Sequence, residues 1–483
     1  MSTGLRYPAG HPSGLRQWTV WSFLAVAALA AVYPVVRAFY RVEISYNEGW
    51  NVYNASALAH HQLLFPRAYG WTTVNYPMLS FAIVAGLHRF THNYLFTARA
   101  LSLLGTLACA VTAGCIVRRL TSSRRAGWIA GAYCIAIFCA AADFYVGEDD
   151  PEMLALAFFM GGLLLYVARR DSLLSLIGVA ALFVVGGSIK HDPLAFAAAV
   201  LIDLALVSWR RALWFCLWGA GFVATSVWLN LRFGGPGFLL QLAVPRTFSG
   251  TKGLAQAGSV YGPLLLPLGL AVYAAMKELK DQRVRVLALL LFAGLGLGVL
   301  FAGGTGVSVN AHFTALLAIV MLSVIGLVRI GRGEWRWAGP RVQRFAAAAL
   351  LLWIVIPLIV CKTWNPVGEL RDTAAGQRLF DQDVALLRAQ SGPALCESLL
   401  RCYFAGKPYD YDPFNATRLI AFHKLDDAVV ANGLRQHWYG AVQLDVPRGD
   451  SFPDRFDARI AASIEQSYRP VLVHDGAAIY VPR

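Results

Sequence analysis

The chain reads as a mainly α protein: a polytopic transmembrane helical bundle of about eleven spans, with a small C-terminal α/β extracytoplasmic domain. Three observations predict it. Hydrophobic residues make up 57% of the 483 positions and charged residues only 14%, where a soluble domain carries about a quarter. Mean hydropathy is +0.52, and apolar runs of spanning or near-spanning length alternate with short polar loops. The paired arginines (Arg118-Arg119, Arg124-Arg125, Arg169-Arg170, Arg210-Arg211) fall on one side of that alternation. The acids Glu43, Glu48 and Glu148-Asp149-Asp150-Pro151-Glu152 fall on the other. The net charge of +14 is therefore a topology signal, and it calls for no nucleic-acid partner.

The elements follow in order. Arg6 and Arg16 precede an apolar run over 18–40 that is long enough to span and lacks a small-residue cleavage site. The N-terminus is thus expected in the cytoplasm and Tyr40 outside. Residues 41–75 read as a polar, aromatic external loop, and 77–92 as a short helix in the outer interface. A full span at 77–92 would reverse the side of Arg118–Arg125, against the positive-inside rule. Spans are then expected at 95–117, 127–147, 153–168, 172–189, 193–208 and 212–230. An external loop over 231–257 carries Arg232, Arg246 and Lys252. The next span reaches a cytoplasmic segment at 277–285, and its successor returns to Gly303–Gly306. Spans at 311–329 and 343–361 complete the bundle.

This places a transmembrane domain at 1–361, with external loops 41–92 and 147–152, and a periplasmic α/β domain at 362–483. The tail has ordinary charge density, helical periodicity around 376–389 and strand-like runs at 440–446 and 470–481. Cys396 and Cys402 lie there and can pair on an oxidising side of the membrane. Cysteines in the apolar spans act as small hydrophobes.

Three external segments carry chemistry. In the first, Glu48 stands beside Asn47, Trp50 and Tyr53, ahead of Asn75-Tyr76-Pro77. A carboxylate just outside a span can accept a proton from a hydroxyl, and the aromatic rings can stack on a sugar or anchor the loop. The plainer reading makes Glu48 a helix-capping residue of a solvated loop. The second segment packs four carboxylates into 148–152. Asp150 suits an N-cap and Pro151 a first turn, which explains one acid. The others call for a divalent cation at Glu148 and Asp149, a raised pKa, or a cationic partner such as Lys190. In the third, Lys190-His191 can hold a phosphate, or Lys190 snorkels while Asp192 caps a helix. Arg246 is a further phosphate candidate.

On these motifs the chain resembles the C-type (GT-C) polytopic glycosyltransferases. The likeness is to their family-39 branch of protein O-mannosyltransferases and lipid A aminoarabinose transferases. Asn47-Glu48 with Tyr53 matches that branch's first-loop acid pair, Tyr76-Pro77-Met78 its Tyr/Lys-Pro-Pro segment, and Glu148–Glu152 its acidic second loop. Asn47 stands where the family has its first acid, the usual base, and Met78 replaces the second proline.

The resemblance implies a polyprenyl-phosphate sugar donor and a glycan, lipid or protein acceptor in a bacterial inner membrane. It further implies an inverting displacement with Glu48, or else Asp149 or Asp150, as base. Asn47, Tyr53, Tyr76, Lys190, His191 and Arg246 are then the candidate substrate-binding residues. The competing readings are a lipid-linked-sugar or solute transporter and a catalytically inactive envelope scaffold. A transporter would place ionisable groups near mid-membrane, where only Asp203 qualifies. The transferase reading expects Glu48 and the 148–152 acids to converge on one cavity.

Overall fold

The computed structural model describes residues 15–360, 365–446 and 455–483. Arg6, Cys361 and the expected domain boundary at 361/362 lie outside those residues.

Helices α1 (Gln17–Arg37), α2 (Asn47–Ala59), α3 (Leu79–Thr91), α4 (Tyr94–Thr121) and α5 (Arg124–Ala141) open the chain. Then come α6 (Glu152–Arg169), α7 (Leu173–Ile189), α8 (Leu194–Val207) and α9 (Trp209–Leu229). A short α10 (Phe238–Leu242) precedes α11 (Gly250–Tyr261), α12 (Leu265–Glu278), α13 (Arg285–Ala302), α14 (Phe313–Gly331) and α15 (Pro340–Val360). Seven helical stretches among the described residues are long and apolar enough to cross a membrane. Helices α3, α7 and α8 are apolar but shorter.

Two expected loops contain helices. Residues 41–75 include α2, which is buried from Glu48 to Ala55. The 231–257 loop ends early, because α11 begins at Gly250 and runs into α12 through a single 3-10 turn. Both differences share a cause: neither helix has the unbroken apolar run that marks a span.

The bundle is built around α14, in which every residue from Phe313 to Val328 is buried. A helix apolar all round belongs in the centre, and here α4, α5, α12, α13 and α15 surround it. By contrast α9 turns Trp209, Trp214, Leu217, Trp218 and Trp228 outward, a surface suited to lipid rather than water. Small residues let helices touch by their backbones. A Cβ at Gly105 would lie 2.5 Å from the Met153 carbonyl of α6, and one at Gly114 2.7 Å from the Gly127 carbonyl of α5.

Beyond the bundle, α16 (Pro366–Ala389) leads to β1 (Ala394–Cys396), α17 (Leu399–Phe404), α18 (Pro413–Ala421) and α19 (Ala428–Arg435). β2 (Ala441–Leu444), α20 (Ala458–Ser467), β3 (Tyr468–His474) and β4 (Ala477–Pro482) complete it. The sheet order is β1-β2-β4-β3, with β1 parallel to β2 and the other pairs antiparallel. Leu395 pairs with Val442 and Gln443 with Ile479. Cys396 and Cys402 form a disulfide.

This α/β unit shares a core with the first external segment: Trp50, Val52 and Tyr53 of α2 pack among Phe380, Leu399 and Leu400. Gly49 is what lets α2 and α17 meet, since a Cβ there would sit 2.2 Å from the Leu400 nitrogen.

Candidate active site

The acids of the first two external segments do converge, into a buried wall. Glu48 sits in the first turn of α2 and is fully buried. Its Oε1 and Oε2 each accept a 2.6 Å bond from the Arg99 guanidinium. The remaining lone pairs take the Ile44 N–H at 2.7 Å and the Asp149 N–H at 3.0 Å. Arg99, also fully buried, spends its other N–H groups on the Tyr40 and Val42 carbonyls. A buried charge is tolerable only when so completely paired. Glu48 is therefore the knot that ties the first external segment to α4 and to Asp149.

The second loop folds against it. Ser45 Oγ donates to Glu148, and Asn51 Nδ2 donates to the Asp149 carbonyl at 2.5 Å. Asn47 Nδ2 donates to Asp150 Oδ2 at 3.1 Å. Asp150 Oδ1 accepts the Glu152 N–H at 2.9 Å, satisfying the start of α6 as a capping side chain does. Burial, with neighbouring carboxylates, drives the pKa values of Glu148 and Asp149 well above the ordinary carboxylate range. Each of those two keeps one buried oxygen without a hydrogen-bond partner.

Among the described residues no group of three or more His, Cys, Asp or Glu is arranged to hold a metal ion. Glu148 accepts from Ser45, and no third His, Cys, Asp or Glu among the described residues joins it and Asp149 in an arrangement that would hold the expected cation.

Lys190 faces this wall, 2.7 Å from Asp150 and 3.2 Å from Glu152, with its ammonium 4.9 Å over the Tyr76 ring. Burial opposes its charge, but Asp150, Tyr76 and Glu152 outweigh that and raise its pKa. Its charge is thus already answered by protein. The His191 pKa is lowered, first by burial and then by Arg246 and Lys190 against Asp192. Of the expected Lys190-His191 pair, the Lys190 ammonium is engaged by Asp150 and Glu152, and His191 pairs with no acid among the described residues.

In front of the wall lies a cavity of about 820 Å³. Asn47, Tyr76, Lys190, His191 and Arg246 line it, as expected, while Glu48, Asp149, Asp150 and Tyr53 do not. Tyr53 instead donates to the Lys407 carbonyl at 2.9 Å and stacks on Tyr409 at 4.8 Å, which pins the C-terminal unit in place. Among the described lining residues Asp192 is the one carboxylate. Its Oδ2 accepts from Asn310 at 3.0 Å, and its Oδ1 is buried without a hydrogen-bond partner. Asp192 makes no side-chain cap on α8, contrary to the plainer reading.

Arg246 has no side-chain hydrogen bond or ion pair among the described residues, which leaves its guanidinium available to a ligand. Lys252 is not so placed, because its Nζ donates to the Gly304 and Val307 carbonyls. The C-terminal unit closes the far side with Phe414, Asn415 and Arg455, the last stacked 3.9 Å over Tyr46. The 410–414 stretch has a plain structural role. Asp412 caps α18, accepting the Phe414 and Asn415 N–H groups, and also accepts the Tyr46 hydroxyl. Asp203, the acid within α8, is held by Tyr166 at 2.6 Å and Arg285 at 2.6 Å.

No family model matches the sequence, and no curated protein matches it. Fold comparison does find counterparts. The crystal structure of ArnT from Cupriavidus metallidurans bound to undecaprenyl phosphate has a TM-score of 0.61 at 13% identity. The match covers 96% of this chain and 97% of that one. The apo ArnT structure from the same organism gives 0.60, with the same identity and coverage. The chain has the ArnT fold. The expected mainly helical bundle with membrane-length apolar helices and a small C-terminal sheet is thereby borne out over nearly the whole length.

Four cavity residues do not read as chemical from the sequence: Asp192, Asn310, Phe414 and Arg455. Asp192 reads there only as a helix cap, and the other three lie in segments far apart along the chain. Arg99 does carry a signal, since a lone arginine at the edge of an apolar span requires a buried acid.

Proposed function

We propose that the protein is an integral membrane glycosyltransferase of the bacterial inner membrane. It moves a sugar from a polyprenyl-phosphate donor to an acceptor hydroxyl, with inversion, and Asp192 is the base. One observation carries the choice of base: Asp192 is the only carboxylate among the described residues lining the cavity, and its Oδ1 has no partner.

In this reading the acceptor hydroxyl gives its proton to the Asp192 carboxylate as its oxygen attacks the anomeric carbon. The bond from that carbon to the phosphate oxygen breaks, and the electron pair leaves with the lipid phosphate. Arg246 faces the charge that develops there. The undecaprenyl phosphate bound to the ArnT neighbour supports the donor class. Phe414, Asn415 and Arg455 of the C-terminal unit then border the acceptor, whether glycan, lipid or protein.

The positive-inside rule puts the cavity and the C-terminal unit on the periplasmic side and the N-terminus in the cytoplasm. The Cys396–Cys402 disulfide agrees with an oxidising compartment. The division at 361/362 belongs to the same proposal.

The test is transfer in proteoliposomes from a panel of polyprenyl-phosphate sugars. Wild type is expected to release lipid phosphate with at least one donor, and Asp192→Asn to release none while keeping the same Tm. An active Asp192→Asn protein would remove Asp192 as base. A wild type inert with every donor would favour the scaffold reading.

A further inference from the structure

A second cavity, of about 780 Å³, opens at the other end of the bundle. Its wall brings together arginines from three separate segments: Arg119 at the end of α4, Arg169 and Arg170 at the end of α6, and Arg283 before α13. The two cavities share no residue. The first lies at the start of α6 and the end of α7, and the second at the end of α6 and the start of α7. The 18 residues of α6 separate them by about 27 Å, which is about the thickness of a hydrocarbon core.

The four guanidinium groups are not equally committed. Arg119 donates to the Ala168 carbonyl at 2.8 Å, and Arg170 grips Gln282 through two 2.6 Å bonds. These bonds brace the walls and fix the α6 end against the α12–α13 link. Arg169 and Arg283 have no side-chain hydrogen bond or ion pair among the described residues, and both are exposed to the cavity. Asp171, the one acid on the wall, is bound by Arg211 at 2.8 Å. Arg170 also lies 4.0 Å from Asp203, so the unanswered positive charge is that of Arg119, Arg169 and Arg283, beside an apolar floor that includes Leu120 and Val286.

Arginines that only obeyed the positive-inside rule would splay outward into the headgroup layer. Here they converge from three segments on one braced hollow at the membrane boundary. We infer that this cavity binds the phosphate headgroup of an anionic phospholipid from the leaflet opposite the candidate active site. Arg169 and Arg283 contact the phosphate, and Arg119 and Arg170 hold the walls.

Native mass spectrometry of the full chain tests it, with the detergent-purified protein loaded with phosphatidylglycerol or with phosphatidylcholine. Wild type is expected to retain one phosphatidylglycerol that R169Q/R283Q holds about thirtyfold more weakly. Phosphatidylcholine is expected to be retained no better by wild type than by the variant. Millimolar inorganic phosphate should not displace the bound lipid. Arg336→Gln, an exposed arginine outside the cavity, should behave as wild type.

Equal retention of phosphatidylglycerol by wild type and R169Q/R283Q would overturn the site. So would equal retention of the two lipids, or the same loss in Arg336→Gln. Displacement by phosphate would overturn the lipid assignment in favour of a soluble phosphate ligand. Both substituted side chains lack protein partners among the described residues, so the variant is expected to fold as wild type does, which its Tm checks. None of these outcomes depends on whether the protein transfers sugars.

Discussion

Glu48 and Asp192 are both acids at the same end of the bundle, near the wall of carboxylates that Lys190 faces, yet the fold uses them oppositely. Glu48 has no accessible surface and gives its carboxylate to Arg99 and two backbone N–H groups. Asp192 stands on the cavity wall with one oxygen on Asn310 and the other unpartnered. An acid whose lone pairs are filled cannot take a proton without breaking the bonds that hold it. An acid with a spare oxygen at a cavity can. What assigns the role is unspent hydrogen-bonding capacity, and position along the loop does not reveal it.

The sharpest way to break this contrast is to remove each carboxylate's charge in turn. Asp192→Asn is expected to lower turnover by roughly 10³-fold or more, as loss of a positioned base does. Its Tm should stay at the wild-type value, because only the Asn310 contact is altered. Glu48→Gln should show the reverse: a clear fall in Tm, with the surviving folded fraction still turning over. If Glu48→Gln is stable and inactive, the first-loop acid is the base after all.

The next effect is on the ion pair itself. Arg99→Met leaves the Glu48 carboxylate buried without its partner, and breaking such a pair costs about 3–5 kcal/mol. Denaturant or thermal unfolding of the detergent-solubilised protein measures it. A change near zero would mean that the pair is replaced by water or another cation.

Gly49→Ala tests whether the C-terminal unit is docked through α2. The added methyl meets the Leu400 backbone nitrogen at 2.2 Å, so helix or sheet unit must shift, at roughly 1–3 kcal/mol. Faster proteolysis of the chain beyond 365 is the expected readout. An unchanged cleavage rate would show that the contact between α2 and α17 carries little of the docking.

The smallest expected effect concerns pH. Glu43 is half-buried, with its Oε1 out of contact with solvent and its Oε2 accepting from Ser398, and desolvation followed by Asp445 raises its pKa to about 8. An acid raised on folding holds a proton that the unfolded chain has lost, so stability falls as pH climbs from the unfolded value toward 8 and levels off beyond it. Glu43→Gln removes that slope. Its Tm advantage over wild type should grow from pH 5 to pH 8 by roughly a few degrees. A gap that stays constant with pH would place the Glu43 proton elsewhere.

Much of the architecture was legible along the chain, because lipid demands long apolar runs and arginines mark their ends. Helices that lack such runs were not: α2 carries three Asn among its 13 residues, and it becomes a helix because a second unit packs onto Gly49 and Trp50. The meeting of the first two acidic segments was also legible. That they meet as a sealed wall was not, since the partner that seals Glu48 is a single arginine 51 positions away in a span.

By itself the sequence determined that the chain is a membrane bundle with acids at one end, because composition and periodicity answer to the solvent around each segment. Only the tertiary structure decided which of those acids are spent and which are free. That depends on lone pairs being filled by N–H groups from distant segments, a condition that is set when the helices pack and leaves no trace in the local spacing of residues.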